Sequence, residues 1–233
     1  MHTVSLALLF IVFQRPEAPP PPVLVVNGTA QILVAPDEAT VRLGIVRQAP
    51  TAQGAQEQAN VVAKEILNAI VKLGVMADQI QTARLILSPV YAPRNPESRD
   101  APRIVAYNAT NTVSVRLSNL ALVGAVIDAG LKAGTNQVEG VQFGLRNDLP
   151  AREAALKQAV QEARSKAQVM ADALRVNLEE VLEASESGVS IVPFAETGFA
   201  QRVALAADTS TPVSPGQIQI QANVTIRFRI SRK

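Results

Sequence analysis

The chain has 233 residues, 48% hydrophobic, 18% charged and 3% aromatic, with a formal net charge of +2; that excludes a mainly disordered chain and suits one largish domain or two small ones. It contains no Cys, no Trp and a single His, His2, which removes disulfides, thiolate nucleophiles, Fe–S clusters, Ser-His-Asp triads and His- or Cys-ligated metal sites. The pI near 9.1 reflects 22 cations against 20 anions, scattered singly without interleaved aromatics, so no nucleic-acid groove is expected.

Val4 to Phe13 is an apolar run broken only by Ser5. It is too short to span a bilayer, which takes about 20 apolar residues, and fits the apolar region of a secretory signal peptide, about 7–15 residues long. No Lys or Arg precedes it and no small-x-small site follows; the alternative is a mis-assigned start or a short membrane-associating tail. Pro19 to Pro22 reads as a stiff extended spacer. Residues 1–22 are therefore expected to be a signal or apolar segment with a proline spacer, and 23–233 the folded domain, exported and without a membrane span once mature.

Val23 to Val34 is rich in β-branched residues, and Ala35-Pro36-Asp37 reads as a turn. Ala39, Val41, Leu43 and Ile45 then alternate with polar or small residues, which predicts a β-hairpin. A helix follows from about Ala52 to Leu73, with Thr51 as N-cap and Gly74 as the left-handed stop. Ile80 to Val90 reads as a strand, and Tyr91 to Arg103, with three prolines, as a loop. From Val105 the period is two again through Val113, Val115 and Leu117, with Asn111 on the apolar face, where its amide needs hydrogen-bond partners.

Ser118 is expected to cap a second helix, Asn119 to Ala133, ended by Gly134. Its apolar residues cover most of its circumference, so it should be deeply buried or covered by another subunit. Val138 to Leu145 is a strand. The third helix, Pro150 to Leu174, shows the stripe Leu156, Val160, Ala163, Ala167, Met170 and Leu174, and its small neighbours Ala151, Ala155 and Ala159 permit close approach to a sheet or another helix. Val181 to Ser187 reads as a short strand, 193–216 as a long irregular loop, and Ile218 to Ile230 as a strand of unbroken alternation. The order ββαββ, then αβαββ, predicts an α+β fold: a largely antiparallel sheet with three main helices packed on it.

No phosphate loop and no nucleophile elbow occurs. Ser185-Glu186-Ser187-Gly188 lacks a base and reads as a strand-end turn. The carboxylate pairs Asp37/Glu38 and Glu179/Glu180 are adjacent in sequence, a poor arrangement for a glycosidase, which needs two acids about 5–10 Å apart across a cleft. No catalytic, cofactor-binding or metal-binding residue is assigned. The positions singled out are structural: Gly28, Pro36, Gly134 and Gly140 for backbone geometry, Asn111 for a buried hydrogen bond.

The chain resembles the SIMPL-domain family of bacterial periplasmic immunogens and oxidative-stress defence proteins. The resemblance runs through Val26-Asn27-Gly28-Thr29-Ala30, Val34-Ala35-Pro36-Asp37-Glu38-Ala39 and Leu87-Ser88-Pro89. It continues in Tyr107-Asn108-Ala109, Asn111 to Val115, Ile127-Asp128-Ala129-Gly130, Ala133-Gly134, Asn136 and Gly140-Val141-Gln142-Phe143-Gly144-Leu145. Lys166-Ala167, Ser185-Glu186-Ser187 and Pro215-Gly216 complete it. It implies an α+β fold, a cell-envelope location, assembly into large ring-like homo-oligomers and, by analogy with eukaryotic relatives, a possible protein partner; it brings no catalytic residues and no cofactor. Three function classes follow: a non-enzymatic, self-assembling periplasmic protein contributing to stress tolerance; a peptide- or ligand-binding or signalling-adaptor module; and a carboxylate hydrolase. Without a thiol, direct oxidant scavenging falls to Met1, Met76 and Met170 alone.

Overall fold

A computed structural model describes residues 21–93, 101–194 and 211–233. The apolar run Val4–Phe13, the middle of the Tyr91–Arg103 loop and residues 195–210 of the long loop lie outside the described residues. Among those described are seven strands and three helices: β1 (Val23–Val34), β2 (Glu38–Ala49), α1 (Ala52–Val71), β3 (Ile80–Tyr91), β4 (Ile104–Leu117), α2 (Leu122–Lys132), β5 (Gln137–Gly144), α3 (Leu149–Leu174), β6 (Val176–Phe194) and β7 (Gln217–Arg232). The fold is α+β and its strands pair antiparallel, as the patterning predicts, but the strands divide between two sheets, β1-β7-β6 and β3-β4-β2-β5.

The division overturns the expected β1–β2 hairpin. β1 pairs with β7 from the far end of the chain, Val23 opposite Arg229 and Val34 opposite Ile218. β2 lies instead between β4 and β5. The reason is that the two apolar sets belong to different cores. Leu24, Val26 and Ala30 of β1 join the even-numbered residues of β7 beneath α3, whereas Val41, Leu43 and Ile45 of β2 pack with α1, α2 and β4. The link holding Pro36 is thus a crossing between sheets, tied down where the Asp37 N–H donates to the Gly144 carbonyl (3.1 Å) and Asp37 Oδ1 accepts from the Arg146 N–H (2.7 Å).

Local signals fixed several helix ends. Thr51 Oγ1 accepts the Gly54 N–H at 3.1 Å, capping α1. Beyond α2, Gly134 at φ +105° lets its own N–H reach the Leu131 carbonyl and the Thr135 N–H reach the Gly130 carbonyl, a paired closure that needs the left-handed region. Ser118 does not cap α2. Asn119 Oδ1 takes the Ala121 N–H instead, and the Leu122 N–H bonds the Asn119 carbonyl, so residues 119–121 form a turn and the helix starts at Leu122. β6 is far longer than the expected Val181–Ser187 strand, because three register shifts, one at Gly188, break its alternation and hide it from a period-two reading. Ser185 to Gly188 accordingly lies within a bulged strand, not at a strand end.

The largest correction concerns α3. Its sheet-facing side is Ala155, Ala159, Ala163, Ala167 and Ala171, all fully buried, while Val160, Met170 and Leu174 of the expected stripe are exposed. Small size, not hydrophobicity, selects the face. α3 lies so close to β1 that a Cβ on Gly28 would collide with the Ala159 carbonyl and the Ala163 methyl. A larger residue on either side would force the layers apart and strip contacts along the interface.

Gly28→Ala and Ala163→Leu should each lower the unfolding free energy by about 1–3 kcal/mol or more through overpacking. Val160→Ala, 41% exposed, should change it by about 0.5 kcal/mol or less. Urea unfolding followed by circular dichroism tests the ordering; equal costs for all three would contradict the alanine face.

Candidate functional site

The outer face of the four-stranded sheet, away from α1 and α2, carries a polar row that composition alone does not reveal. Residues directly opposite in an antiparallel pair share a face, and one such row runs Arg84 on β3, Thr112 on β4, Gly44 on β2 and Gln137 on β5. The β2–β5 register slips here: Arg42 pairs with Gly140 and Leu43 with Val138, leaving Glu139 as an extra residue. Gly140 stands at φ +140°, a conformation that favours glycine. The bulge throws the Glu139 side chain across β2, over Gly44, where a Cβ would sit 3.3 Å from the Glu139 carboxylate. Glu139 then spans two strands: Oε1 accepts from the Thr112 hydroxyl at 2.7 Å, and Oε2 meets the Arg84 guanidinium at 3.4 Å. Thr112 is 1% exposed, so this bond satisfies a buried hydroxyl.

Chemically the row offers one carboxylate, one guanidinium and hydroxyls, with no base aimed at a nucleophile. Among the described residues no group of three or more His, Cys, Asp or Glu could hold a metal ion. The adjacent acids are engaged separately. Asp37 anchors the inter-sheet link; Glu38 lies 3.9 Å from Arg116, and Glu180 pairs with Arg229 at 3.0 Å.

The free edge of β1 forms a second polar feature. Its odd-numbered residues turn their backbone groups away from β7, and two of these groups are met by α3: the Thr29 N–H donates to Glu162 Oε2 at 2.5 Å, and Lys166 Nζ donates to the Asn27 carbonyl at 3.2 Å. Lys166 and Glu162 are themselves paired at 2.6 Å. The Lys166 ammonium first, and the Thr29 N–H second, hold the Glu162 carboxyl below its ordinary value. Beside this guard lies a groove of about 390 Å³, floored by Val25, Val26, Val169 and Met170.

The five positions singled out from sequence are spread over the fold rather than gathered. Gly28 lies under α3, Pro36 between the sheets, Gly134 at the end of α2 with its carbonyl bonded by Arg47 at 2.9 Å, and Gly140 at the bulge. Asn111 is 6% exposed on the helix-facing side, and among the described residues no donor meets its Oδ1. Glu139, Thr112, Arg84, Glu162 and Lys166 were missed as a set. The available signals were a glycine in each of two facing strands, Gly44 and Gly140, and an i,i+4 acid–base pair on α3.

The family profile named SIMPL, described as a protein of unknown function (DUF541), matches residues 24–228. The chain is 32% identical to the 26 kDa periplasmic immunogenic protein of Brucella melitensis over 212 residues, 89% of this chain and 84% of that protein. It is 26% identical to the uncharacterized protein YggE of Edwardsiella ictaluri, covering 93% of this chain and 88% of that one. With YggE of Escherichia coli (strain K12) identity is 29% over 160 residues, 68% of this chain and 63% of that protein. The chain belongs to the SIMPL family.

A depressed carboxyl pKa adds stability at pH values above the unfolded value, near 4.3 for Glu, and that stability is lost as pH falls through the folded value. Wild type should therefore exceed Glu162→Gln in stability at pH 6, and the two should converge as pH falls through the folded value. Thermal unfolding across pH 2–7 checks this; a gap that is constant with pH would contradict the assignment.

Proposed function

We propose that this is an exported cell-envelope protein that works by associating with further copies of itself rather than by catalysis, contributing to oxidative or envelope stress tolerance through that assembly. The observation that carries the reading is an uncovered apolar strip on β3. α1 lies mainly over β4 and β2 and only grazes β3, α2 lies over β2, and β3 forms the sheet margin, with Ile80 at its start in the core. Leu85 opposite Asn111 and Leu87 opposite Ala109 therefore point to the core side of the sheet, yet remain 57% and 46% exposed. Ile86 between them is exposed on the opposite face of the strand. Large apolar side chains left uncovered on the core side of a sheet mark an interaction face. The Brucella relative, named a periplasmic immunogenic protein, supports the location, as does the apolar run Val4–Phe13 ahead of the body. Among the described residues no helix is long and apolar enough to cross a membrane. Met76 and Met170, both exposed, are the only sulfur atoms of the body, so a protective role rests on assembly or partners more than on redox chemistry of the chain.

A second reading, a peptide-binding module, draws on the groove beside β1. The N–H and C=O of Val25 face that edge next to the apolar floor, the arrangement by which an extended peptide adds to a sheet. A shift of the Val25 amide resonance on titration with an extended Val/Leu-rich peptide would favour it.

Size-exclusion chromatography with light scattering decides the first reading. Wild type should run as a homo-oligomer at micromolar concentration, and Leu85→Lys/Leu87→Lys should shift it towards monomer with unchanged circular dichroism. A strictly monomeric wild type overturns it.

A further inference from the structure

We infer that residues 211–216, which lead into β7, form a detachable cover over α2, latched by the carboxylate of Asp128. α2 is apolar around most of its circumference: Val123, Val126 and Ile127 are buried in the core of the four-stranded sheet. Gly124 and Asp128, one turn apart, present a further face, and the 211–216 segment lies on it. The Thr211 carbonyl occupies the space a Cβ on Gly124 would take. Asp128 grips the same residue twice, Oδ1 accepting the Thr211 hydroxyl at 2.6 Å and Oδ2 the Thr211 N–H at 3.2 Å.

Burial alternates beyond the latch. Thr211, Val213 and Pro215 are half-buried while Pro212, Ser214 and Gly216 are exposed, so the segment is an extended ribbon with one side on the protein. Val213 packs against the core that holds α2. Pro212 and Pro215 bring no N–H and fixed φ, which keeps the ribbon straight and limits its backbone hydrogen bonding to neighbours. The hydrogen bonds joining it to α2 among the described residues both end on Asp128. A segment held by one bidentate contact and little apolar burial opens as a local unit at lower free energy than the global fold. Opening uncovers the Gly124–Asp128 face of α2, the side of the helix that the core does not cover. The same two contacts, the Thr211 hydroxyl first and its N–H second, hold the Asp128 carboxyl below its ordinary value.

Amide hydrogen exchange on the full chain tests this without reference to assembly, so its failure is distinct from failure of the self-association reading. In Asp128→Ala and in Thr211→Val, the amides of residues 122–132 should exchange about ten-fold faster, a change equivalent to about 1.4 kcal/mol, with those of α3 unchanged. Gly124→Ala, which pushes the ribbon away and leaves the carboxylate intact, should do the same and serves if Asp128→Ala does not fold. Unchanged protection of α2 in these variants overturns the proposal, and so does acceleration spread evenly over α2, α3 and β7.

Discussion

The close approach of α3 to β1 governs the rest of the molecule. Gly28 and the alanine face from Ala155 to Ala171 remove side-chain bulk from both surfaces, so helix and sheet meet almost backbone to backbone. β1 comes from the start of the folded body, and α3, β6 and β7 from its end. Their contact, with the β1–β7 ladder, closes the chain over long sequence separation. Everything between, from Glu38 to Gly144, is then a contiguous second layer pair with its own core. A closure over such a span must offset a large loop entropy, and extended complementary contact along five helical turns is the feature that does so.

The same approach also sets the charge chemistry at the β1 edge. Because α3 lies so near, Glu162 and Lys166 reach the strand's outward backbone groups directly. A pair that would otherwise be an exposed i,i+4 contact of small worth becomes a cover for an unpaired edge. Glu139 achieves something similar in the other sheet by a different route, a bulge at Gly140 and the bare backbone of Gly44 letting one carboxylate reach across β2 to β4 and β3. In both cases glycine makes room and an acid fills it.

Much of the fold was legible because its signals are local. Thr51, Gly134 and the alternation of β7 each report on a few neighbouring residues and behave as their chemistry dictates. The misreadings share one cause, a partner distant in sequence. Pro36 followed by an alternating run reads as a hairpin, and only the competition of two cores for the two strands makes it a crossing. The α3 stripe was centred between the large residues and the alanines, because a periodic pattern does not reveal that the facing strand carries Gly28 and so favours the all-alanine face. The bulges in β5 and β6 shift the period mid-strand, so Glu139 had no readable face. The sites of interest were least legible for the same reason: each joins residues from different elements.

Four strand edges end the two sheets, and each is blunted. β1 is covered at Asn27 and Thr29 by α3 side chains; β5 is bulged at Glu139; β6 shifts register three times; β3 is broken by the bulge at Ala83 and by Pro89, which lacks an N–H. A chain with every edge so treated resists strand-to-strand addition along most of its perimeter. What it leaves open is side-chain surface: Leu85 and Leu87 on the inner face of β3, and the Gly124 face of α2 beneath its ribbon. These differ in kind, since the first is permanently exposed and the second is covered by the chain itself. The glycines, alanines and acids of the body thus govern which of its surfaces meet and which stay open.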